Sequence, residues 1–521
     1  DWLLPGDVAL EPLAPAPIRV RNPRYQEPPT AVNRRDPDHP TYRMRFALTV
    51  GLLIGLSLQL GCGEPAAPSR SNILLVTIDT LRADHLSSYG YERDTSPVID
   101  ALAAEGVRFD NAIVQWPKTA PSFASIFTAT YPKDNGIVRR VGLRLPQEFK
   151  MLAEVLKEQG FATHAVVSNG AVASEFNFDQ GFDTYIETWK LTPPADGQDP
   201  TGAGSVTRLA QAVIGDHAPG QPFCLWVHDL DPHCPYEAPA PLTDMYENDA
   251  YFDPKEQIEI KEVPIRQMAG IGTDQVLNER TDLAYYIARY DAEIAYADAK
   301  IGDLLEFMGD RGLLENTLTI LTSDHGESLG EHSYYFDHGR FGFQPGLRVP
   351  LVFHYPGVLE PHVDPDPVEL IHLSPSILDF AGVELDENRW MQGRSLTPRL
   401  MGSSRGARPA FSQAGYATER KWQQIVQDRR FKLMNVIAGD EQRWVGGKGV
   451  FLTLYDLEND PGETVNVLDE FPEAAQRLSR SLDQIWSAEP FPVLTDDSAT
   501  RPEREMDDET ESQLKALGYL Q

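Results

Sequence analysis

Short runs of apolar residues alternate along the chain with amphipathic helical segments. The first run, NILLVTI at 72–78, is too short for a core helix and rich in β-branched residues, which is typical of a strand buried on both faces. Further runs of this kind occupy 163–167, 223–227, 318–322 and 349–353. Helical patterns occupy 151–159, 205–214 and 283–308, and Ser96-Pro97 opens another helix. The alternation predicts an α/β fold, with a mostly parallel sheet sandwiched between helices.

Polar side chains follow four of the predicted strands at the points where the strands end. These residues are Asp79 after the first strand, Ser168 and Asn169 after the second, His228 and Asp229 after the third, and Ser323, Asp324 and His325 after the fourth. In open α/β sheets, ligands bind beyond the carboxyl ends of the strands. We therefore expect these separate loops to build one site on one rim of the sheet.

The chain has 521 residues, more than one hydrophobic core usually serves, so we expect a large domain and a smaller one. The large domain is placed at 72–402. Beyond it, the pattern changes to strands at 421–426, 431–436 and 451–457 and an amphipathic helix at 473–486. These elements predict a small α+β domain at 403–488. The remainder, 489–521, is an acidic tail that contains prolines.

The N-terminal region carries an export pattern. Residues 1–43 lack apolar periodicity and are interpreted as a disordered or mis-started leader. Residues 44–62 resemble a signal peptide whose Gly61-Cys62 ending is similar to a bacterial lipobox, although Gln59 departs from it, and 63–71 is a polar linker. We expect a protein exported to the bacterial periplasm or cell envelope and attached to the membrane through lipidated Cys62. An ordinary cleaved signal and an uncleaved anchor are the alternatives.

The charge of the chain restricts its partners. It has 78 acidic and 46 basic residues, which give a formal net charge of -32. A field of that sign repels nucleic acid, which we exclude as a partner. It also repels an anionic substrate, unless a bound cation reverses the sign locally. The composition therefore favours a metal site over a basic patch.

Four residues offer a suitable set of metal ligands. Asp79, Thr119, Asp324 and His325 supply two carboxylates, a hydroxyl and an imidazole. Oxygen donors suit Ca²⁺, Mg²⁺ or Mn²⁺, while the imidazole favours Mn²⁺ or Zn²⁺. Thr119 lies where a turn runs into a helix, and a hydroxyl there that contacts both cation and substrate has a lowered pKa. The alternative is that Thr119 is only an N-cap.

Eight segments, in order along the chain, resemble the sulfatase family of the alkaline phosphatase superfamily. They are NILLVTIDTLRADHLSSYGY (72–91), TAPSFASIFTATYP (119–132), VHDLDPHCPY (227–236), ARYDAEIAYADAKIGDLL (288–305), TSDHGESLGEH (322–332), LRVPLVF (347–353), LYDLENDPGETVNV (454–467) and LKALGYL (514–520). The resemblance covers nearly all of 72–521. It implies an alkaline phosphatase-like fold and metal-dependent hydrolysis of sulfate or phosphate esters, with an anionic small molecule or glycan ester as substrate.

The resemblance also implies roles for single residues. Asp79, Asp324 and His325 would bind the metal, and Thr119 would be both a ligand and the nucleophile. His233 matches a substrate-side histidine that protonates the leaving oxygen. His338 falls within one position of a Lys that binds the substrate in sulfatases.

Three departures separate the chain from typical sulfatases. The family signature begins with a Cys or Ser that becomes formylglycine and ends with Arg, whereas this chain has Thr119 and Phe123. Ser168 and Asn169 stand where a Gly-Lys-Trp motif would fall. Formylglycine cannot be made from Thr, and threonine nucleophiles in this superfamily belong chiefly to enzymes of phosphoryl chemistry. Phosphate esters or diesters are therefore preferred chemically.

Three alternatives stay open at this point. One is a true sulfuric ester hydrolase acting on a sulfated glycan or aryl sulfate, and another is a non-catalytic, metal-stabilised binding protein. The third is a second metal site at Asp229, His233 and His338, because Asp229 and His233 have the spacing of ligands in two-metal relatives.

Overall fold

The computed structural model describes residues 70–138, 141–192, 199–218, 220–247, 249–261, 270–383, 391–403, 408–416, 421–438, 450–485 and 506–520. The predicted leader and the signal peptide with Cys62 lie outside these residues. Among the residues that are described, no helix is long and apolar enough to cross a membrane.

An eight-stranded sheet forms the centre of the fold. Its strands are β1 (Asn72–Ile78), β2 (Val107–Phe109), β3 (Ala162–Val167), β4 (Thr184–Glu187), β5 (Phe223–Asp229), β6 (Thr317–Thr322), β7 (Leu351–His354) and β8 (His362–Asp364). Their order across the sheet is β8-β2-β7-β6-β1-β5-β3-β4. The five neighbours β6, β1, β5, β3 and β4 are all parallel, and β7 is antiparallel to β6 and β2. The prediction of a mostly parallel sheet is confirmed.

Helices cover the sheet and connect its strands. They are α1 (Pro97–Glu105), α2 (Thr119–Thr128), α3 (Pro132–Asn135), α4 (Leu152–Glu158), α5 (Ala203–Gly215), α6 (Leu283–Gly309), α7 (Gln344–Leu347), α8 (Leu373–Phe380), α9 (Thr397–Leu400), α10 (Pro472–Ile485) and α11 (Asp508–Ala516). Short strands at Ala112–Ile113, Ile260–Lys261, Ile271–Gly272, Ser328–Leu329, Tyr335–Asp337, Arg348–Val349 and Val368–Glu369 form smaller sheets.

The sheet is buried on both faces, as its apolar runs require. Along β1, Ile73 and Leu75 belong to one hydrophobic core, whereas Leu74, Val76 and Ile78 belong to the other. Alternate side chains point to opposite faces of a strand, so every position of β1 removes apolar surface from water. A strand of this kind needs apolar side chains on both faces, which explains its nearly continuous apolar sequence. The two polar residues of β1, Asn72 and Thr77, are buried as well.

The prediction of a single strand at 349–353 is wrong. Pro350 divides it: Arg348–Val349 pairs with Ala112–Ile113 in a small sheet, and only Leu351–His354 joins the main sheet. Proline has no backbone N–H to donate and cannot continue a ladder through a central strand. The chain therefore changes sheets at this residue.

A second sheet and one helix form the predicted α+β unit. Its strands are β9 (Ala410–Tyr416), β10 (Lys421–Gln427), β11 (Phe431–Ala438) and β12 (Val450–Asp456), each antiparallel to the next. Leu478 and Leu482 of α10 share a buried cluster with Val426, Leu433 and Leu454 of the strands. The smaller α+β fold predicted after the main sheet is thus confirmed.

The buried carboxylate of Asp298 on α6 caps helix α1. It accepts hydrogen bonds from the backbone N–H groups of Val98 (3.0 Å) and Ile99 (2.8 Å). Ser96 occupies the N-cap position, but its side chain makes no capping bond. The cap comes from another helix and so ties α1 to α6.

We expect Asp298→Ala to lower the free energy of unfolding by about 1–3 kcal/mol, because the buried N–H of Ile99 and the part-buried N–H of Val98 lose their acceptor. Urea denaturation measures this loss. Asp303→Ala, on an exposed part of α6, is the control and should change stability by less than about 0.5 kcal/mol. Equal stability of the two variants would contradict the capping role.

Candidate active site

The predicted rim exists, and three loops meet on it. Asp79 follows β1, Asn169 follows β3, and Asp324 and His325 follow β6. All four residues are fully buried. Because β1, β3 and β6 are parallel members of one sheet, their carboxyl ends bring these loops together.

Asp79, Asp324 and His325 form one group of candidate metal ligands. Their ligand atoms all lie within 4.8 Å of one another. His325 Nε2 lies 3.3 Å from Asp324 Oδ2 and 3.9 Å from Asp79 Oδ1. Asp79 Oδ1 and Asp324 Oδ2 are both buried without a hydrogen-bond partner. Two unsatisfied carboxylate oxygens directed into one buried space fit a divalent cation, which would satisfy both.

The two carboxyl groups influence each other strongly. Burial and the neighbouring charge of Asp79 raise the pKa of Asp324 well above its usual range. Burial also raises the pKa of Asp79, but the hydrogen bond to His228 and the nearby His233 and His325 outweigh it and bring this pKa to about 2. The arrangement favours one negative charge unless a cation is present, and a cation of charge two would compensate both carboxylates.

The hydroxyl of Thr119 faces these ligands. Helix α2 begins at Thr119, and the N-cap position belongs to Lys118. Thr119 is fully buried, and its Oγ1 lies 3.2 Å from His325 Nε2 and 3.3 Å from the hydroxyl of Tyr519. The interpretation of Thr119 as an N-cap is therefore wrong. Its hydroxyl is free of a capping role and points into the site at the positive end of a helix.

One ring nitrogen of His325 is committed to the backbone. Its Nδ1 lies 3.0 Å from the carbonyl oxygen of Gly326, which can only accept, so Nδ1 carries the proton. The lone pair of Nε2 then faces Thr119 and the two carboxylates. This is the tautomer that a metal-binding histidine requires.

His233 and His338 also lie in the site, next to the ring of Tyr519. The ring centroids of His233 and His338 are 5.3 Å apart, and those of His338 and His325 are 4.1 Å apart. His233 Nδ1 donates to the carbonyl of Cys234 at 2.7 Å, and Nε2 lies 3.0 Å from the hydroxyl of Tyr519. Both histidines are almost fully buried.

Glu327 positions His338. Its Oε1 lies 3.4 Å from His338 Nδ1, and its Oε2 accepts a hydrogen bond of 2.6 Å from Tyr236. Glu327 is fully buried. The carboxylate therefore orients the His338 ring.

The second metal site proposed from the spacing of Asp229, His233 and His338 does not form as one group in the described part of the chain. The nitrogens of His233 make the two hydrogen bonds given above. Burial and the neighbouring Asp231 raise the pKa of Asp229 well above its usual range, which favours a neutral carboxyl.

Three further residues contact the site. Asn169 Nδ2 donates to Asp79 Oδ2 at 2.5 Å, His228 Nε2 lies 3.5 Å from the same oxygen, and Tyr519 bridges Thr119 and His233. Asn169 follows a strand, and His228 lies at the end of one. The sequence pattern that predicts Asp79, a polar residue where a strand ends, therefore indicates these two residues as well. The signal for Tyr519 is only the LKALGYL segment.

Two family models and a characterised relative are similar to the chain. A family model described as Sulfatase matches residues 71–383, and one described as N-sulphoglucosamine sulphohydrolase, C-terminal, matches 330–487. The choline-sulfatase of Rhizobium meliloti (strain 1021) is 26% identical over 492 residues, which cover 83% of this chain and 90% of that protein.

Two solved structures show the same fold. The phosphonate monoester hydrolase of Agrobacterium radiobacter matches with a TM-score of 0.64 and 22% identity, over 80% of this chain and 96% of that one. A protein in complex with its substrate D-glucosamine-2-N,6-O-disulfate matches with a TM-score of 0.63 and 21% identity, over 84% of this chain and 100% of that one.

Proposed function

The chain belongs to the sulfatase family of ester hydrolases, and we propose that it hydrolyses phosphate esters or diesters with Thr119 as the nucleophile. The observation that carries the proposal is the position of the Thr119 hydroxyl, buried beside the Asp79, Asp324 and His325 group. A threonine side chain cannot be converted to the aldehyde that formylglycine sulfatases use. An ester of a threonine hydroxyl must be cleaved by water, as in phosphoryl-transfer enzymes of the superfamily.

A divalent cation is the cofactor of the proposal. Asp79, Asp324 and His325 would hold it, with the Thr119 hydroxyl as a fourth ligand, and Ca²⁺, Mg²⁺, Mn²⁺ and Zn²⁺ are all compatible with these donors. Bound there, the cation supplies positive charge that lowers the pKa of the hydroxyl and compensates the negative charge of the transition state. Asn169 holds Asp79 in place through its hydrogen bond.

The protein groups are arranged for a double displacement. The Thr119 hydroxyl releases its proton to solvent as its oxygen attacks the phosphorus in line, a phosphothreonine ester forms, and the bond from phosphorus to the leaving oxygen breaks. His233, with its ring protonated at both nitrogens, donates the Nε2 proton to that oxygen, and His338 contacts the substrate anion. Water then attacks the phosphorus of the intermediate and gives one proton to His233, while the Thr119 oxygen leaves and takes up a proton from solvent. The product is free phosphate from a monoester substrate and a phosphate monoester from a diester. The N–H groups at the start of α2 favour the anion.

Sulfate esters are the second candidate substrate class. The relatives include choline-sulfatase, and one structural neighbour binds a disulfated glucosamine. An anionic glycan ester would meet the same charge pattern, since sulfate and phosphate esters both present a tetrahedral anion. The nucleophile chemistry, rather than the binding of the anion, favours phosphate.

Paired nitrophenyl substrates test this choice. We expect the purified protein to hydrolyse a phosphate diester or monoester with a kcat/KM at least about 10-fold above that for the sulfate, a difference of about 1.4 kcal/mol in the activation barrier. Ca²⁺, Mg²⁺, Mn²⁺ and Zn²⁺ are exchanged one by one in each assay. A dominant sulfatase activity with any of them would contradict the phosphate proposal.

We further propose that the protein acts in the bacterial cell envelope. The support is the sequence pattern at 44–62, in which an apolar segment ends at the lipobox-like Gly61-Cys62. Lipidation of Cys62 would attach the enzyme to the membrane.

A further inference from the structure

The segment 506–520 is firmly docked beside the candidate active site. Asp507 caps α11 by accepting a hydrogen bond from the Thr510 N–H at 2.7 Å, and it forms an ion pair of 2.7 Å with Lys190. Trp189 Nε1 donates to the Thr510 hydroxyl at 3.1 Å. Leu514 is fully buried in the larger hydrophobic core. A segment with these contacts is part of the folded enzyme rather than a loose extension.

Gln513 connects this segment to the loop that carries Asn169. Its Oε1 accepts a hydrogen bond of 2.6 Å from the Gly170 N–H, and its Nε2 donates to the Ser168 carbonyl at 2.7 Å. The two contacts lie on either side of Asn169, the residue that donates to Asp79. The docked segment therefore supports one wall of the metal site.

The end of α11 directs Tyr519 into the site. The chain turns at Gly518, whose φ of +71° is a left-handed conformation that favours glycine. The Tyr519 N–H then donates to the Leu514 carbonyl at 2.8 Å. This Schellman-like ending places the half-buried ring of Tyr519 against the rings of His233 and His338.

The hydroxyl of Tyr519 lies at the centre of the proposed reaction. It is 3.3 Å from Thr119 Oγ1, 3.2 Å from Asn169 Nδ2 and 3.0 Å from His233 Nε2. Asn169 donates to the phenol oxygen. Because His233 Nδ1 donates to Cys234, the phenol proton is directed toward Nε2 when the ring is neutral.

We propose that Tyr519 is a substrate-contacting residue and that segment 506–520 completes the active site. This inference rests on the proposed function. The Tyr519 hydroxyl lies 3.3 Å from the attacking oxygen of Thr119. An anion that Thr119 attacks therefore has its oxygens within hydrogen-bonding distance of this hydroxyl. The phenol proton then turns from His233 to a non-bridging oxygen of the tetrahedral anion, and His233 Nε2 takes up from solvent the proton that it gives to the leaving oxygen. The residue thus binds the anion and positions the acid.

Tyr519→Phe tests the role, since it removes one hydroxyl and keeps the ring. We expect kcat/KM to fall about 10- to 100-fold, the effect of losing one hydrogen bond to a charged group. The assay uses the ester that the wild-type enzyme hydrolyses fastest, whether phosphate or sulfate. The control is Tyr251→Phe, the same change at an exposed tyrosine, which should leave kcat/KM unchanged. Equal activity of the two variants, or a higher activity of Tyr519→Phe, would overturn the proposal.

Gln513→Ala tests the docking of the segment. It should reproduce the loss seen in Tyr519→Phe, and the double variant should lose no more than the larger single loss, because both act through one contact. Fully additive losses would contradict a shared role.

Calorimetric titration with inorganic phosphate and inorganic sulfate separates this inference from the proposed function. We expect Tyr519→Phe to bind the better of the two anions about 5- to 50-fold more weakly than the wild type and the Tyr251→Phe control. If the wild type hydrolyses no ester, the proposed function fails, and this titration still decides the role of Tyr519. Unchanged anion affinity would overturn the inference even where the enzyme is active.

Discussion

Replacing Thr119 by Ala is expected to lower kcat by at least about 10³-fold, because the attacking group of the double displacement is removed. The hydroxyl makes no capping bond, so the substitution removes no support from α2. The main structural effect is a small cavity beside His325. Steady-state assays of the wild-type and variant enzymes, with matched metal content, measure the loss.

Thr119→Ser is the matched control for this substitution. It keeps a hydroxyl at the start of α2, and we expect it to retain activity within about 10-fold of the wild type. Mass spectrometry of the quenched wild-type reaction should find the phosphoryl group, or for a sulfatase the sulfuryl group, on the peptide that contains Thr119. Full activity of Thr119→Ala would exclude Thr119 as the nucleophile.

The sheet could be predicted closely from sequence because its central strands are buried on both faces. Such strands are buried at every position and are mostly apolar, and the runs at 72–78 and 318–322 coincide with Asn72–Ile78 and Thr317–Thr322. The run at 349–353 was wrongly predicted as one strand because its apolar pattern continues through Pro350. The backbone hydrogen bonds to one partner strand do not continue through this residue. Apolar patterns report burial, and they do not report which sheet a strand joins.

The candidate site was predictable to the extent that it follows the strands. Asp79, Asp324 and His325 could be grouped because each comes directly after a parallel strand of one sheet. Tyr519 could not, since the contact of its hydroxyl with Thr119 spans 400 residues of sequence. No periodicity reports such a contact, and only the folded chain brings the two hydroxyls together.

Asp324→Asn, in the candidate metal site, is the second substitution for which we expect a large loss of activity. We expect this variant to lose at least about 10³-fold in kcat, because several kcal/mol of charge stabilisation depend on the cation. The unfolding temperature of the metal-free variant, in contrast, should not fall. Without metal, Asn removes the free-energy cost of either protonating Asp324 or keeping it charged beside Asp79, and the metal-free variant should unfold at the same or a higher temperature than the metal-free wild type.

Added cation should therefore distinguish the two proteins without any assay of activity. At 100 times its Kd, a cation that binds only the folded state stabilises the wild type by about 2.7 kcal/mol, and Asp324→Asn should gain much less. Thermal unfolding with and without each metal measures the difference, and metal analysis of the purified proteins gives the occupancy. Asp303→Asn, a surface carboxylate on α6, is the control and should gain as much as the wild type. If the cation stabilises Asp324→Asn as strongly as the wild type, the metal is bound elsewhere, and the site built on Asp79, Asp324 and His325 must be rejected.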